Sequence, residues 1–136
     1  MSSVAISLDE VDAQEEVFAR AFASGDISVA RRLYRPDVVY VSPTTRLFGW
    51  PARIVGLEQA LEFIQLTITG LTDVAYAVDE RALMAGEAGA FVRVHFDFSM
   101  QGARLRSTYV VAYRYLDGSI ARQELYYDPS GRFERL

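Results

Sequence analysis

The chain has 136 residues, 51% of them hydrophobic and 24% charged, with a net charge of −4 and a pI near 5.0; this fits one globular domain over 1–136 with enough apolar content for a core. Fourteen dispersed basic residues, all arginine, against eighteen acids leave no footprint for a phosphate backbone, so nucleic acid is not an expected partner. The lack of cysteine excludes disulfides, thiolate metal sites and a cysteine nucleophile, and a single histidine excludes a multi-histidine metal site within one chain, so no metal is expected.

The opening Met1-Ser2-Ser3-Val4-Ala5-Ile6 lacks a basic stretch and a long apolar run, and nothing approaches the ~18 residues needed to span a bilayer, so the expectation is a cytoplasmic protein away from membranes. Ser7-Leu8-Asp9-Glu10 reads as a capping box and predicts a helix start. Val11, Ala13 or Glu15, Phe18, Ala21 and Phe22 recur at helical spacing up to a stop at Ser24-Gly25, while Asp9, Glu10, Asp12, Glu15 and Glu16 read most simply as a solvated face. Asp26 caps a short second helix carrying Val29, Leu33 and Tyr34, which Pro36 ends. Val38 to Ser42 reads as a short strand, followed by a loop through Gly49-Trp50-Pro51. Leu57, Ala60, Leu61, Ile64 and Ile68 predict a third helix ending at Gly70. Four strand-like runs follow: Thr72 to Ala85, Ala90 to Gln101, Arg104 to Leu116 and Ser119 to Asp128. Turn signals separate them at Gly86-Glu87-Ala88-Gly89, Gln101-Gly102-Ala103 and Asp117-Gly118. Helices followed by an antiparallel meander indicate α+β, three N-terminal helices packed on a curved, mainly antiparallel sheet.

The run Ala90 to Ser99 places the only histidine two residues from an aspartate, so His95 and Asp97 share a face. Two carboxylates in one dry pocket cannot both ionise cheaply, so Asp97 and Asp128 would split into an acid and a base if their strands met there, with His95 tuning the pair. Tyr40 could hold a water or a substrate oxygen, with Ser42 facing the same way. Alternation alone points elsewhere: Val92, Val94, Phe96, Phe98 and Met100 form an apolar face, which makes the His95 face the solvent side.

The segments "SGD...LY.PDVVY.SP", "RIVGLEQALEFI" and "DG.I...E.YYDP" resemble the nuclear transport factor 2-like superfamily, the group of SnoaL-like polyketide cyclases, ketosteroid isomerase and limonene epoxide hydrolase, over Leu8 to Phe133. The resemblance implies a cone whose concave sheet and helices enclose one pocket. It also matches the Arg-x-Asp of the epoxide hydrolases to His95-Phe96-Asp97, their final Asp to Asp128 and their Tyr-x-Asn to Tyr40-Val41-Ser42, with histidine and serine as departures. That match turns His95 and Asp97 inward. It implies catalytic roles for Asp97, Asp128, His95 and Tyr40, with Ser42, Trp50, Tyr126, Phe18 and Phe63 as substrate-binding residues. The exposed Val and Phe row would then need a cover, which a homodimer through the outer sheet face supplies. The resulting expectation is a cofactor-independent acid/base enzyme, an isomerase, cyclase or epoxide hydrolase acting on a small apolar organic molecule. The rival is a non-catalytic ligand-binding or dimerising module of the same fold.

Overall fold

The Ser7 hydroxyl accepts from the Glu10 amide at 3.1 Å while Glu10 accepts from the Ser7 amide at 3.1 Å, and this reciprocal cap opens α1, Leu8–Ser24. Gly25 closes α1 in the left-handed region at φ 74°, as the Ser24-Gly25 stop predicts. The computed structural model describes residues 5–86, 88–128, 130 and 132–136; Met1 to Val4, Glu87 of the expected turn, Pro129 and Gly131 lie outside the described residues.

Asp26 caps a 3₁₀ segment, Ile27–Leu33, in place of a second α-helix. Pro36 does not end it, because strand β1, Tyr34–Val41, already runs through that proline. The register of β1 slips between Tyr34 and Val39, and such an irregularity is where a strand tolerates a missing N–H. The expected loop contains a 3₁₀ turn, Pro43–Phe48, and a short strand β2, Arg53–Val55, antiparallel to β1. Helix α2, Leu57–Thr69, follows the predicted apolar period and buries Ala60, Leu61, Phe63, Ile64 and Ile68.

Strands β3, Thr72–Leu83, β4, Gly89–Met100, β5, Ala103–Leu116, and β6, Ser119–Tyr127, form the expected meander. Gln101-Gly102 and Asp117-Gly118 all take positive φ, the backbone that a two-residue hairpin requires. β1 joins β6 in parallel, giving the order β2-β1-β6-β5-β4-β3, and β7, Glu134–Arg135, pairs with Leu105 and Arg106 beyond the end of β6. Helices on one side of a curved mixed sheet make the α+β cone that the resemblance implies.

The faces of that sheet settle the alternation question. Val92, Val94, Phe96 and Phe98 are 0%, 0%, 8% and 4% exposed and point toward the helices. Burying each of them contributes roughly 1.5–3 kcal/mol, more than a partly paired polar face could offset. His95 and Asp97 therefore lie on the outer face, and the inward turn taken from the resemblance is corrected. A strand has a side-chain period of two, so a motif match that is off by one residue moves every side chain to the wrong face. The apolar row that called for a second copy is already covered from within, so that argument for a dimer lapses. Among the described residues no helix is long and apolar enough to cross a membrane.

Candidate functional site

Between the concave face and the helices lies a cavity of about 640 Å³. Its inner end is built by Phe18 and Phe22 of α1 with Tyr76 of β3, the rings of Phe22 and Tyr76 stacking at 5.0 Å. Exposure rises toward the mouth, where Leu47, Phe48, Met100 and Phe133 form an apolar lip and Asp128 and Arg132 bring charge. Phe133 meets the edge of Phe98 at 5.2 Å, so the last residues of the chain help to close the rim.

Inward-facing residues of β5 and β6 follow from the ladder: Tyr109 lies opposite Tyr127, Val111 opposite Leu125 and Tyr113 opposite Gln123. β1 brings Tyr40 beside Gln123 on the other side. Tyr40 and Tyr109 are buried, and burial pushes both phenols well above their ordinary range, with neighbouring tyrosines adding to the effect. They therefore stay protonated at neutral pH and act as hydrogen-bond donors. The Tyr109 hydroxyl has no hydrogen-bond partner among the described residues. Among those residues no side-chain polar atom sealed from solvent lacks one, so this hydroxyl opens on the cavity. Asp128 is solvent-exposed, and its carboxylate accepts from the Ser130 amide at 2.8 Å, which lowers its pKa and keeps it ionised.

Of the residues singled out in sequence, Phe18, Tyr40 and Asp128 line this cavity. Phe63 sits fully buried behind Tyr40 and also packs against Trp50, so these two support the wall without facing the ligand space. Ser42 is buried, caps the Pro43–Phe48 turn and pairs with the Thr44 hydroxyl at 2.8 Å, close to Tyr40. His95, Asp97 and Tyr126 do not join them. On the outer face His95 pairs through Nδ1 with the Thr108 hydroxyl at 3.0 Å and has Asp79 at 3.5 Å. Asp97 is gripped by Arg106 at 2.7 and 3.0 Å, a two-pronged bond that lowers its pKa. Tyr126 is 57% exposed and donates to Glu124. It points outward because the inward parity of β6 is Gln123, Leu125 and Tyr127. Asp128 escapes that parity because the strand ends one residue earlier.

The SnoaL-like domain model matches residues 15–123 of this sequence. The chain belongs to the SnoaL-like domain family. This SnoaL-like chain is similar in structure to a putative isomerase from Bacillus subtilis, with 18% identity and a TM-score of 0.75 over 90% of this chain and 88% of that one. A hypothetical protein of ketosteroid isomerase-like fold from Catenulispora acidiphila, crystallised with trimethylamine, has 16% identity and a TM-score of 0.70 over 92% and 89%. TerC, co-crystallised with polyporic acid, has 20% identity and a TM-score of 0.72 over 89% and 93%. At these identities the likeness is one of fold. Among curated proteins none matches the sequence.

Sequence reasoning missed three polar residues of the SnoaL-like interior. Tyr109 alternates with Tyr113 and Tyr115 on one face of the Arg104 to Leu116 run, which by sequence alone reads as packing, and Gln123 attracts no notice in a strand of mixed polarity. Glu15 reads as part of a solvated helix face but is 3% exposed, accepting from the hydroxyls of Tyr76 at 2.5 Å and Tyr113 at 3.2 Å and from Gln14 at 3.0 Å. Burial raises its pKa, with those bonds opposing the rise. Its spacing from Val11 and Phe18, four and three residues, is the signal that places it on the buried stripe.

Proposed function

We propose that this protein acts on a small, largely apolar carbonyl compound by proton transfer, as an isomerase or cyclase needing no cofactor, with Asp128 as the base and Tyr109 and Tyr40 as donors to substrate oxygen. One observation carries the reading. Tyr109 stands opposite Tyr127 in the ladder, so its free hydroxyl and the Asp128 carboxylate start one residue apart at the same end of an apolar cavity. In the reaction Asp128 takes a proton from the carbon next to the carbonyl, and the C–H electron pair moves to give an enolate whose oxygen accepts from the phenol. The protonated Asp128 then returns the proton to a different carbon. An ionised, solvated aspartate is a weak base, but an apolar ligand at the mouth strips its water and raises its basicity.

The cavity volume supports an organic ligand of modest size. The putative isomerase among the structural neighbours, and the neighbour co-crystallised with polyporic acid, support the class. Epoxide opening by two aspartates has no support, because Asp97 and Asp128 lie on opposite faces of the sheet wall. The test is exchange of the α-protons of 2-tetralone in D₂O, followed by NMR. Exchange faster than buffer, reduced at least about 100-fold by Asp128→Asn and also reduced by Tyr109→Phe, supports the assignment. Saturable binding with exchange no faster than buffer makes the protein a ligand-binding module instead.

A further inference from the structure

We infer that Gln123 is a specificity residue that holds a second acceptor oxygen of the ligand, and that Tyr34 is the positioning residue that fixes which end of the amide meets it. The inference rests on the reading of the cavity as the ligand site. Gln123 is 6% exposed, faces inward on β6 and lines the cavity. Tyr34, 5% exposed and packed edge-on against Phe18 at 6.0 Å, donates its hydroxyl to Gln123 Oε1 at 2.6 Å.

The orientation of an amide is normally ambiguous between its oxygen and its nitrogen, and here the donor inventory resolves it. Among the described residues the Tyr34 hydroxyl has Gln123 as its one hydrogen-bond partner. A turned amide would leave the buried phenol proton with no acceptor, a penalty that the present orientation avoids. Oε1 therefore faces Tyr34 and Nε2 faces away. Nε2 has no partner among the described residues, yet no side-chain nitrogen sealed from solvent is unsatisfied, so its N–H groups open on the cavity.

Gln123 and Tyr127 are four residues apart on β6, roughly 13 Å along the strand. The Gln123 donor thus serves a different part of the ligand from Tyr109 and Asp128. A ligand built for this cavity carries one carbonyl at the mouth and a second acceptor, a carbonyl or ether oxygen, at its inner end. A purely hydrocarbon inner end would leave the Gln123 N–H groups dry and unpaired.

The test compares two probes of equal shape, 6-acetyl-2-tetralone and 6-isopropyl-2-tetralone, by calorimetry. The wild-type protein is expected to prefer the acetyl probe about fivefold, the worth of one net neutral hydrogen bond. Gln123→Leu brings the ratio toward one, and Tyr34→Phe reduces it because the amide is free to turn. An infrared readout needs no variant: the ¹³C-labelled acetyl carbonyl stretch shifts to lower wavenumber in the wild-type complex than in hydrocarbon solvent. Equal binding of the two probes, an unshifted carbonyl, or a preference that survives Gln123→Leu overturns the assignment while the cavity reading stands. Failure of the wild-type protein to bind either probe overturns both.

Discussion

Replacing Glu15 by glutamine tests the interior of the cone most directly. Glu15 is held above the ordinary carboxylate range, chiefly by burial, so above its ordinary 4.5 the folded state binds more protons than the unfolded state until pH passes the raised folded value. The stability that this group contributes is complete below its unfolded pKa, ordinarily 4.5, and is lost as pH rises through the folded value. The slope for one such group reaches about 1.4 kcal/mol per pH unit, on the order of 5 °C in Tm per unit for a domain of this size. Glutamine keeps the shape and an acceptor for the Tyr76 hydroxyl but carries no titrating proton. Urea denaturation of both proteins between pH 5 and 8 should show the wild type losing stability relative to Glu15→Gln as pH rises. The paired carboxylates Asp12, Asp79, Asp97 and Glu124 are all lowered by their partners and titrate below this window. Parallel curves would refute the account and show that three donors fully replace the water that Glu15 gives up.

His95→Ala and Asp97→Asn should bind 2-tetralone within about twofold of wild type by calorimetry, because an intact strand wall separates them from the cavity; a loss beyond tenfold would place them at the site after all. Asp97→Asn should also cost at most about 1 kcal/mol at neutral pH, since the pair with Arg106 is partly solvated. That cost should begin to shrink as pH falls through the ordinary 3.8 of an aspartate and vanish only below the lowered value of the folded protein, where the wild type is itself protonated. Gly25→Ala meets no atom within 4 Å, so its loss in urea denaturation should be the backbone cost alone, about 1 kcal/mol. An unchanged midpoint would show that the helix end relaxes.

Local chemistry made most of the elements legible. The Ser7 and Glu10 cap, the Gly25 stop and the Asp117-Gly118 hairpin are decided by neighbours in sequence, and they stand where the residues predict them. The β2 strand and the course of β1 through Pro36 are not decided that way, because both depend on pairing with segments far along the chain. The site divides along the same line. Tyr40 and Asp128 line the cavity, but His95 and Asp97 do not, since a motif match carries no information about strand parity. Plain alternation of Val92, Val94, Phe96 and Phe98 predicted the buried face that the fold adopts. Gln123 and Tyr109 stayed hidden because a free N–H or O–H is defined by the partners it lacks, which only the packed structure reveals.

The parallel pairing of β1 with β6 also dictates an order of assembly. The β3 to β6 meander closes through short connections, whereas Tyr40 meets Gln123 across about eighty intervening residues, and distant pairings carry the larger loop-closure cost. On a ribosome the first forty residues must wait until β6 has emerged before that wall of the chamber can form. Until then Tyr109 and Val111 of β5 lack their β6 neighbours, so nascent chains stalled between β5 and β6 should be the species that chaperones hold longest.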